Sequence, residues 1–177
     1  MRRTAVGNTA RLPSFFIDMT KTLVIGLGNP ILGDDGVGWR VVEEVSIKTN
    51  GRSDVEVDCA SLGGLSLMER LTDSERVILV DSIFTGEKPV GSVSQFTLNE
   101  LQDLTSGHSA SAHDTSLRNA LNVGRSMDIP LPEDANVFIV AIEAENVYDF
   151  SQELSPAVAA AVPLAVKTVI DLLASQN

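Results

Sequence analysis

Cysteine and aromatic residues are scarce in this chain of 177 residues, which has one Cys, one Trp and one Tyr. A single cysteine excludes a disulfide within the chain and is typical of a reducing compartment, so we expect a cytoplasmic protein. Cys59 lies in an apolar run and is expected to be a buried core thiol rather than a nucleophile. Because aromatics are few, the core must consist mainly of Val, Leu, Ile and Ala.

Positive charge is also in short supply, because the net charge is −11. Residues 1–21 hold four basic side chains and one acidic side chain, which leaves nine basic against 23 acidic side chains in residues 22–177. Such an acidic body repels phosphate and disfavours nucleic acid as a partner. Cations or a basic peptide are better suited to it, although most of the charge simply favours solubility.

Long apolar runs are missing as well. No stretch is long and uninterrupted enough to predict a transmembrane helix, and the apolar residues 12–17 are too few for a secretory signal. The core pattern begins just after Met19. We therefore expect residues 1–20 to be a disordered N-terminal extension and residues 21–177 to form a single domain.

The strand pattern is clear in five places. The first, third and fifth segments are almost continuously apolar, which is typical of strands covered on both faces in a mainly parallel sheet. The connection before the fourth segment is too short for a crossover helix, so we expect that strand to be antiparallel and at an edge. The segments are residues 22–26, 55–59, 77–80, 92–96 and 137–142.

Helical patterns alternate with these strands. Valines at positions 37, 41, 42 and 45 form an apolar stripe, and residues 65–71, 114–126 and 155–174 are further candidates. Pro163 is expected to kink or split the last helix. The alternation predicts an α/β fold of three layers, with a twisted, mainly parallel sheet of about five strands and helices on both faces.

The loop after the first strand, GNPILGDDGVG at residues 28–38, is rich in glycine. It departs from a dinucleotide fingerprint, because Ile31 stands at the third glycine position. It departs from a phosphate-binding P-loop too, because Asp34 and Asp35 replace the required Lys-Ser/Thr pair. Two carboxylates repel phosphate. A nucleotide-dependent oxidoreductase is therefore disfavoured.

Carboxylates suit a metal ion or acid–base chemistry. Asp35, Asp81 and His113 come from three separate loops at the expected carboxyl edge of the sheet. Two carboxylates and one imidazole suit a borderline divalent cation that keeps open positions for substrate. We expect no role for His108, and we expect Glu143 and Glu145 to be solvated residues at the rim.

Each candidate also has a simpler interpretation. Asp34 or Asp35 can cap the helix that follows, and Asp34 is the better candidate for that role. Asp81 can be an ordinary residue of a turn at a strand end. His113 can be a helix cap or a surface histidine.

The combined motifs resemble the nickel–iron hydrogenase maturation endopeptidases. The matching segments are LVIGLGNPILGDDGVG at residues 23–38, Val80-Asp81, and HDTSL at residues 113–117. The similarity extends over nearly all of residues 22–173, including IEAEN at residues 142–146 and the helix start at Ser155-Pro156.

This resemblance implies an endopeptidase that removes the C-terminal extension from the precursor of a hydrogenase large subunit after nickel insertion. The metal-contacting trio of the family corresponds to Asp35, Asp81 and His113, and Asp35 is also the catalytic candidate, as a general base or only as a ligand. Nickel is expected to arrive with the precursor, so the resting enzyme is expected to be largely metal-free.

One segment departs from the family pattern. Many members have DGGTxG after the second strand, where this chain has DCASLGG at residues 58–64. This segment is expected to help select the substrate, and the substrate-binding candidates are Gly28, Asn29, Asp58, Gly63 and Gly64. An alternative function is a non-proteolytic, nickel-sensing chaperone that holds the precursor, because the same trio would serve binding in both cases.

Overall fold

A five-stranded sheet forms the centre of the molecule. The computed structural model describes residues 22–100 and 112–175, with the backbone alone for residues 112–116. The predicted extension, residues 1–20, lies outside the described residues. The strands are β1 (Thr22–Leu27), β2 (Val55–Ala60), β3 (Arg76–Ile83), β4 (Val93–Thr97) and β5 (Val137–Glu143).

The strand order across the sheet is β2-β1-β3-β5-β4. β1 pairs in parallel with β2 and β3, and β3 pairs in parallel with β5. β4 runs antiparallel to β5 at the edge, which confirms the prediction made from its short connection. Four strands therefore end at one edge of the sheet, which we call the carboxyl edge. The loops that follow β1, β2, β3 and β5 leave from that edge.

In the part of the chain that the structure describes, four α-helices cover the two faces of the sheet. They are α1 (Val37–Lys48), α2 (Gly64–Arg70), α3 (Ala112–Ser126) and α4 (Pro156–Ala174). Side chains alternate along each strand, so Val24 packs with α1 and α4 while its neighbour Ile25 packs with α2 and α3. Both cores are mainly aliphatic, as the scarcity of aromatics predicts. The three-layer α/β arrangement is thus confirmed.

The helix α4 corrects the expectation that no stretch is apolar enough for a membrane span. A window of 18 residues within this 19-residue helix has a mean hydropathy of 1.9, which is long and apolar enough for a span by length and composition alone. Eight of its residues are buried, and they pack in the same core as α1 and the sheet. Its exposed side carries an ion pair between Lys167 and Asp171. These contacts are those of a core helix.

Pro163 lies inside α4 without splitting it, so a split is ruled out, while the alternative of a kink stays a prediction. The proline ring removes the hydrogen bond to the carbonyl of Ala159, four residues earlier. Both residues are exposed, so water can satisfy the carbonyl that the proline leaves unbonded. The periodic apolar residues on the opposite side of the helix stay packed.

Cys59 is half-buried rather than fully buried, because it lies on the edge strand β2. It packs against the core beneath α1. Burial raises the pKa of its thiol, and the neighbouring carboxylates of Glu43 and Asp58 act in the same direction. A thiol with a raised pKa is a poor nucleophile near neutral pH, which agrees with the structural role expected from the sequence.

Two glycines allow α1 to sit directly on the ends of β1 and β3. A Cβ at Gly26 would lie 2.6 Å from the side chain of Val42 and would strike the carbonyl oxygen of Gly38. A Cβ at Gly38 would strike the carbonyl of Leu27 and lie 2.5 Å from the carbonyl of Val80. Helix and strands are therefore in backbone contact at this point, and no larger residue fits.

We predict that Gly38→Ala destabilises the protein. Helix propensity alone would favour alanine by about 1 kcal/mol, but the clash is with backbone atoms that cannot rotate away. We expect the clash to prevail, with a net loss of about 1–3 kcal/mol in the free energy of unfolding, measured by chemical denaturation. Ser46→Ala, on the exposed side of the same helix, is the control and should stay within about 0.5 kcal/mol. A Gly38→Ala protein as stable as the wild type would contradict this packing.

Candidate active site

The loop between β1 and α1 folds back over the carboxyl end of β1. Gly28 has a φ of +111°, and a Cβ there would strike the carbonyl oxygen of Asp35. The N–H of Leu32 donates to the carbonyl of Asn29 at 3.0 Å, and the N–H of Asp35 donates to the carbonyl of Leu32 at 3.2 Å. The loop ends in a 3₁₀ turn, Gly33–Gly36. Its glycines serve close packing and a tight turn rather than phosphate binding.

Asp35 is held at both carboxylate oxygens. The backbone N–H of Asn29 donates to Oδ2 at 2.7 Å, and the hydroxyl of Ser82 donates to Oδ1 at 3.2 Å. A carboxylate has about four acceptor positions, so two hydrogen bonds leave capacity for a cation or a water molecule. The side chain is partly exposed. Its orientation is therefore fixed while its chemistry stays accessible.

Asp81 lies next to Ser82 on β3, but its side chain points to the other face of the sheet. It follows Leu79 in the alternation and so faces the side covered by α2 and α3. The Asp81 side chain is buried, with 3% of the residue exposed. Ser82 reaches Asp35 on the side of α1. Asp35 therefore reaches the carboxyl end of β3 on the side of α1, whereas the side chain of Asp81 faces α2 and α3. Their convergence on one site stays a prediction.

His113 lies in the first turn of α3, which begins at Ala112, two residues before the predicted start. Leu117 and Leu121 of this helix pack in the core on the same face as Asp81. The side chain of His113 and all of His108 lie outside the described part of the chain. Among the side chains that the structure describes, no three of His, Cys, Asp or Glu form a group that could hold a metal ion. The trio itself stays a prediction.

Asp34 does not cap α1, so that interpretation was wrong. Asp34 is completely buried. Its carboxylate accepts the N–H of Ser155 at 2.6 Å and the N–H of Asn146 at 3.3 Å. The residue before α1 is Gly36, which makes no side-chain cap. Asp34 instead ties the glycine loop to the segment that leads into α4.

Glu143 corrects another expectation, because it is buried rather than solvated, with 1% of its surface exposed. Its carboxylate accepts the N–H and the hydroxyl of Thr85, each at 2.7 Å, and the N–H of Gly86 at 2.8 Å. It therefore anchors the loop after β3 to the end of β5. Glu145, two residues later, is exposed as expected.

Asp58, a substrate-binding candidate, is paired with Arg70 of α2. The guanidinium Nε lies 2.8 Å from Oδ2 of Asp58, and a second nitrogen of Arg70 reaches Glu56 at 2.6 Å. These hydrogen bonds raise the pKa of the guanidinium, with Asp58 the larger contributor. The Asp58 side chain is still 41% exposed, so the pair lies at the surface. Its role in substrate binding stays a prediction.

The other candidates line the loops at the same edge. The hydroxyl of Ser61 donates to the carbonyl of Gly28 at 2.7 Å, which joins the loops after β2 and β1. Gly63 precedes α2 in an extended conformation, and Gly64 has a φ of +55°. Asn29 uses its side-chain oxygen within its own loop, accepting the N–H of Ile31 at 3.2 Å. These candidates are gathered at the carboxyl edge, and their contacts with substrate stay predictions.

Two serines that connect these loops, Ser61 and Ser82, were missed by the sequence reasoning. Each lies at the end of a strand: Ser61 directly follows β2, and Ser82 directly follows Asp81. That position was a usable signal, because a hydroxyl at the carboxyl edge can reach a neighbouring loop.

A surface cavity of about 460 Å³ lies at the opposite edge of the sheet. Its walls come from the segments before β3 and β5, including Glu75, Leu131 and Pro132. None of the predicted site residues lines it. The chemistry of the chain is concentrated instead at the carboxyl edge.

We predict that Asp34→Ala destabilises the protein by about 2–4 kcal/mol, because two N–H groups would lose their acceptor in a buried place. Chemical denaturation measures the loss. Glu145→Ala is the matched control, since this exposed carboxylate lies in the same region, and it should change stability by less than about 0.5 kcal/mol. Equal denaturation midpoints for the wild type and Asp34→Ala would show that the link to α4 contributes nothing to the stability of the protein.

Comparison with known proteins identifies the family of the chain. The family model for hydrogenase maturation protease matches residues 39–172. The hydrogenase expression/formation protein HupD of Rhizobium leguminosarum bv. viciae is 25% identical over 155 residues, which cover 88% of this chain and 75% of HupD.

Two solved structures share the fold. The hydrogenase maturating endopeptidase HybD from Escherichia coli has a TM-score of 0.72 at 22% identity, covering 89% of this chain and 94% of HybD. The [NiFe] hydrogenase maturation protease HybD from Thermococcus kodakarensis has a TM-score of 0.68 at 25% identity, covering 86% of this chain and 98% of that protein. Since the family model spans well over half of the sequence, the chain belongs to the hydrogenase maturation protease family and is a peptidase.

Proposed function

We propose that this peptidase removes a C-terminal extension from the precursor of a nickel–iron hydrogenase large subunit, and that it acts after nickel insertion. The observation that carries the proposal is the position of Asp35, whose carboxylate accepts the hydroxyl of Ser82, the residue next to Asp81, at the carboxyl end of β3. The helix that bears His113 covers the face to which Asp81 points. Two carboxylates and one imidazole suit nickel, a borderline divalent cation.

Nickel belongs to the substrate in this proposal. Asp35, Asp81 and His113 would contact the nickel held by the precursor and so place the scissile bond over the site, which is a proximity effect. Three ligands leave coordination positions for the groups of the precursor. Cleavage would then depend on nickel loading, and the resting enzyme is expected to be largely metal-free.

Peptide hydrolysis requires a water molecule to lose a proton as its oxygen attacks the scissile carbonyl carbon. The leaving nitrogen must then gain a proton as the C–N bond breaks. Asp35 suits the role of general base, because Asn29 and Ser82 fix its oxygens while acceptor positions remain. Nickel can instead polarise the carbonyl as a Lewis acid, with Asp35 as a ligand. Both routes require the carboxylate of Asp35 at the same place.

Other protease machinery has little support in the sequence. The chain has two histidines and one cysteine, and it has no HExxH motif. Cys59, with its raised pKa and its place on the edge strand β2, is unsuited to attack. A half-buried free thiol also suits a reducing compartment, and we place the reaction in the cytoplasm.

We predict that Asp35→Asn and His113→Ala each slow cleavage of the nickel-loaded precursor by at least about a hundredfold. Asn keeps the shape and one acceptor of Asp35 but cannot take a proton, so the fold should be retained. Intact-mass spectrometry of the precursor, with and without nickel, follows the loss of the C-terminal peptide. Circular dichroism checks that each variant is folded.

Asp171→Ala is the control for loss of a carboxylate, because this residue lies exposed on α4 and should leave the rate unchanged. Full activity of Asp35→Asn would overturn the assignment of the site. Equal cleavage of loaded and nickel-free precursor would overturn the role of nickel. Stable complex formation without any cleavage by the wild type would favour a nickel-sensing chaperone.

A further inference from the structure

Exposed aromatic side chains are concentrated at the carboxyl edge. Among the described residues, three aromatics are more than half exposed: Phe84 at 66%, Tyr148 at 83% and Phe150 at 88%. Phe84 follows β3 directly, and the other two lie in the loop after β5. Since the whole chain has only one Trp, one Tyr and six Phe, this placement is unusual. Exposed Tyr and Phe contribute large contact areas at binding surfaces.

The segment 144–154, here called the aromatic loop, is firmly attached to the glycine loop. The N–H of Gly33 donates to the carbonyl of Ser151 at 2.7 Å, and the N–H of Ser151 donates to the carbonyl of Ile31 at 3.1 Å. The carboxylate of Asp34 accepts the N–H of Asn146. Tyr148 lies between these two anchors. A loop that is already ordered loses little entropy when it binds, which favours affinity.

The aromatic loop is also acidic. Glu145, Asp149 and Glu153 are exposed, and the loop contains no Lys or Arg. A second copy of this chain is a poor occupant, because a symmetric contact would bring two acidic loops together. Anionic lipid headgroups would be repelled for the same reason. The complementary ligand is apolar and carries positive charge.

We propose that the aromatic loop is a docking surface for the precursor, and that it binds an apolar segment flanked by Lys or Arg outside the nickel site. This inference rests on the proposed function. The hydrogen bonds through Gly33 and Asp34 join the loop to the turn that carries Asp35, so a precursor bound here lies beside the catalytic edge. Docking increases affinity for the precursor and leaves the chemical step unchanged.

The test is steady-state kinetics of the full chain with the nickel-loaded precursor. The double variant Tyr148→Ala/Phe150→Ala should raise KM at least tenfold and leave kcat within twofold, since removal of an anchor costs about tenfold or more in affinity. Ile47→Ala is the control, because this residue is 77% exposed on α1 at the opposite edge. The KM of this control should not change.

Charge reversal is the second kinetic test. Asp149→Lys should raise KM and weaken the dependence of KM on salt concentration. Glu75→Lys, at the opposite edge, should change neither.

Binding is measured separately with Asp35→Asn, which should hold the loaded precursor without cleaving it. Adding Tyr148→Ala/Phe150→Ala to that variant should weaken binding at least tenfold. An unchanged dissociation constant would overturn the docking surface and leave the peptidase proposal standing. Loss of binding together with a wild type that cleaves no precursor would support the surface and reject the cleavage proposal. A wild-type dimer that the double variant dissociates would show that the loop pairs with a second copy, and would overturn the proposal.

Discussion

The backbone contact between the end of β1 and the start of α1 determines where the whole site lies. Because Gly26 and Gly38 have no side chains, the helix begins directly against the strands, and the intervening loop has to fold back on itself. That fold brings Asp35 within hydrogen-bonding distance of Ser82 at the end of the neighbouring strand β3. A looser junction would leave the carboxylate away from the sheet. The glycines that resemble a nucleotide motif are thus a packing device for an acidic site.

Much of the fold could be predicted from the sequence, because its strongest signals are local. Strands buried on both faces appear as continuous apolar runs, and the short connection before β4 is enough to predict an antiparallel edge. Two expectations failed for one reason: that Pro163 could split the last helix, and that no stretch was apolar enough for a membrane span. Whether a proline or an apolar helix is tolerated depends on which side of the helix meets the sheet, and that is decided by tertiary contacts.

The site was predictable in its position but less so in the roles of its acids. The carboxyl-edge rule correctly places Asp35 and Asp81 at the same edge of the sheet, while their convergence on one metal stays a prediction. Asp34 was correctly expected to be the more structural of the two aspartates, but its partners were not visible, because its donors come from residues 112 and 121 positions further along the chain. Glu143 was misjudged likewise, since its donors lie in the loop after β3. A buried carboxylate is recognised by its donors, and a sequence pattern does not show distant donors.

The bonds from Asp34 to Asn146 and Ser155 also have a consequence for the timing of folding. β1 and the glycine loop are synthesised early, but the donors to Asp34 are 112 and 121 positions further along the chain. Such distant contacts form late, because a long loop must close before they bring any stabilisation. The loop that carries Asp35 therefore reaches its final geometry only after the segment leading into α4 has been made. A nascent chain that has not yet reached Ser155 lacks these donors, so we expect the loop that carries Asp35 to be incomplete until that residue has been made.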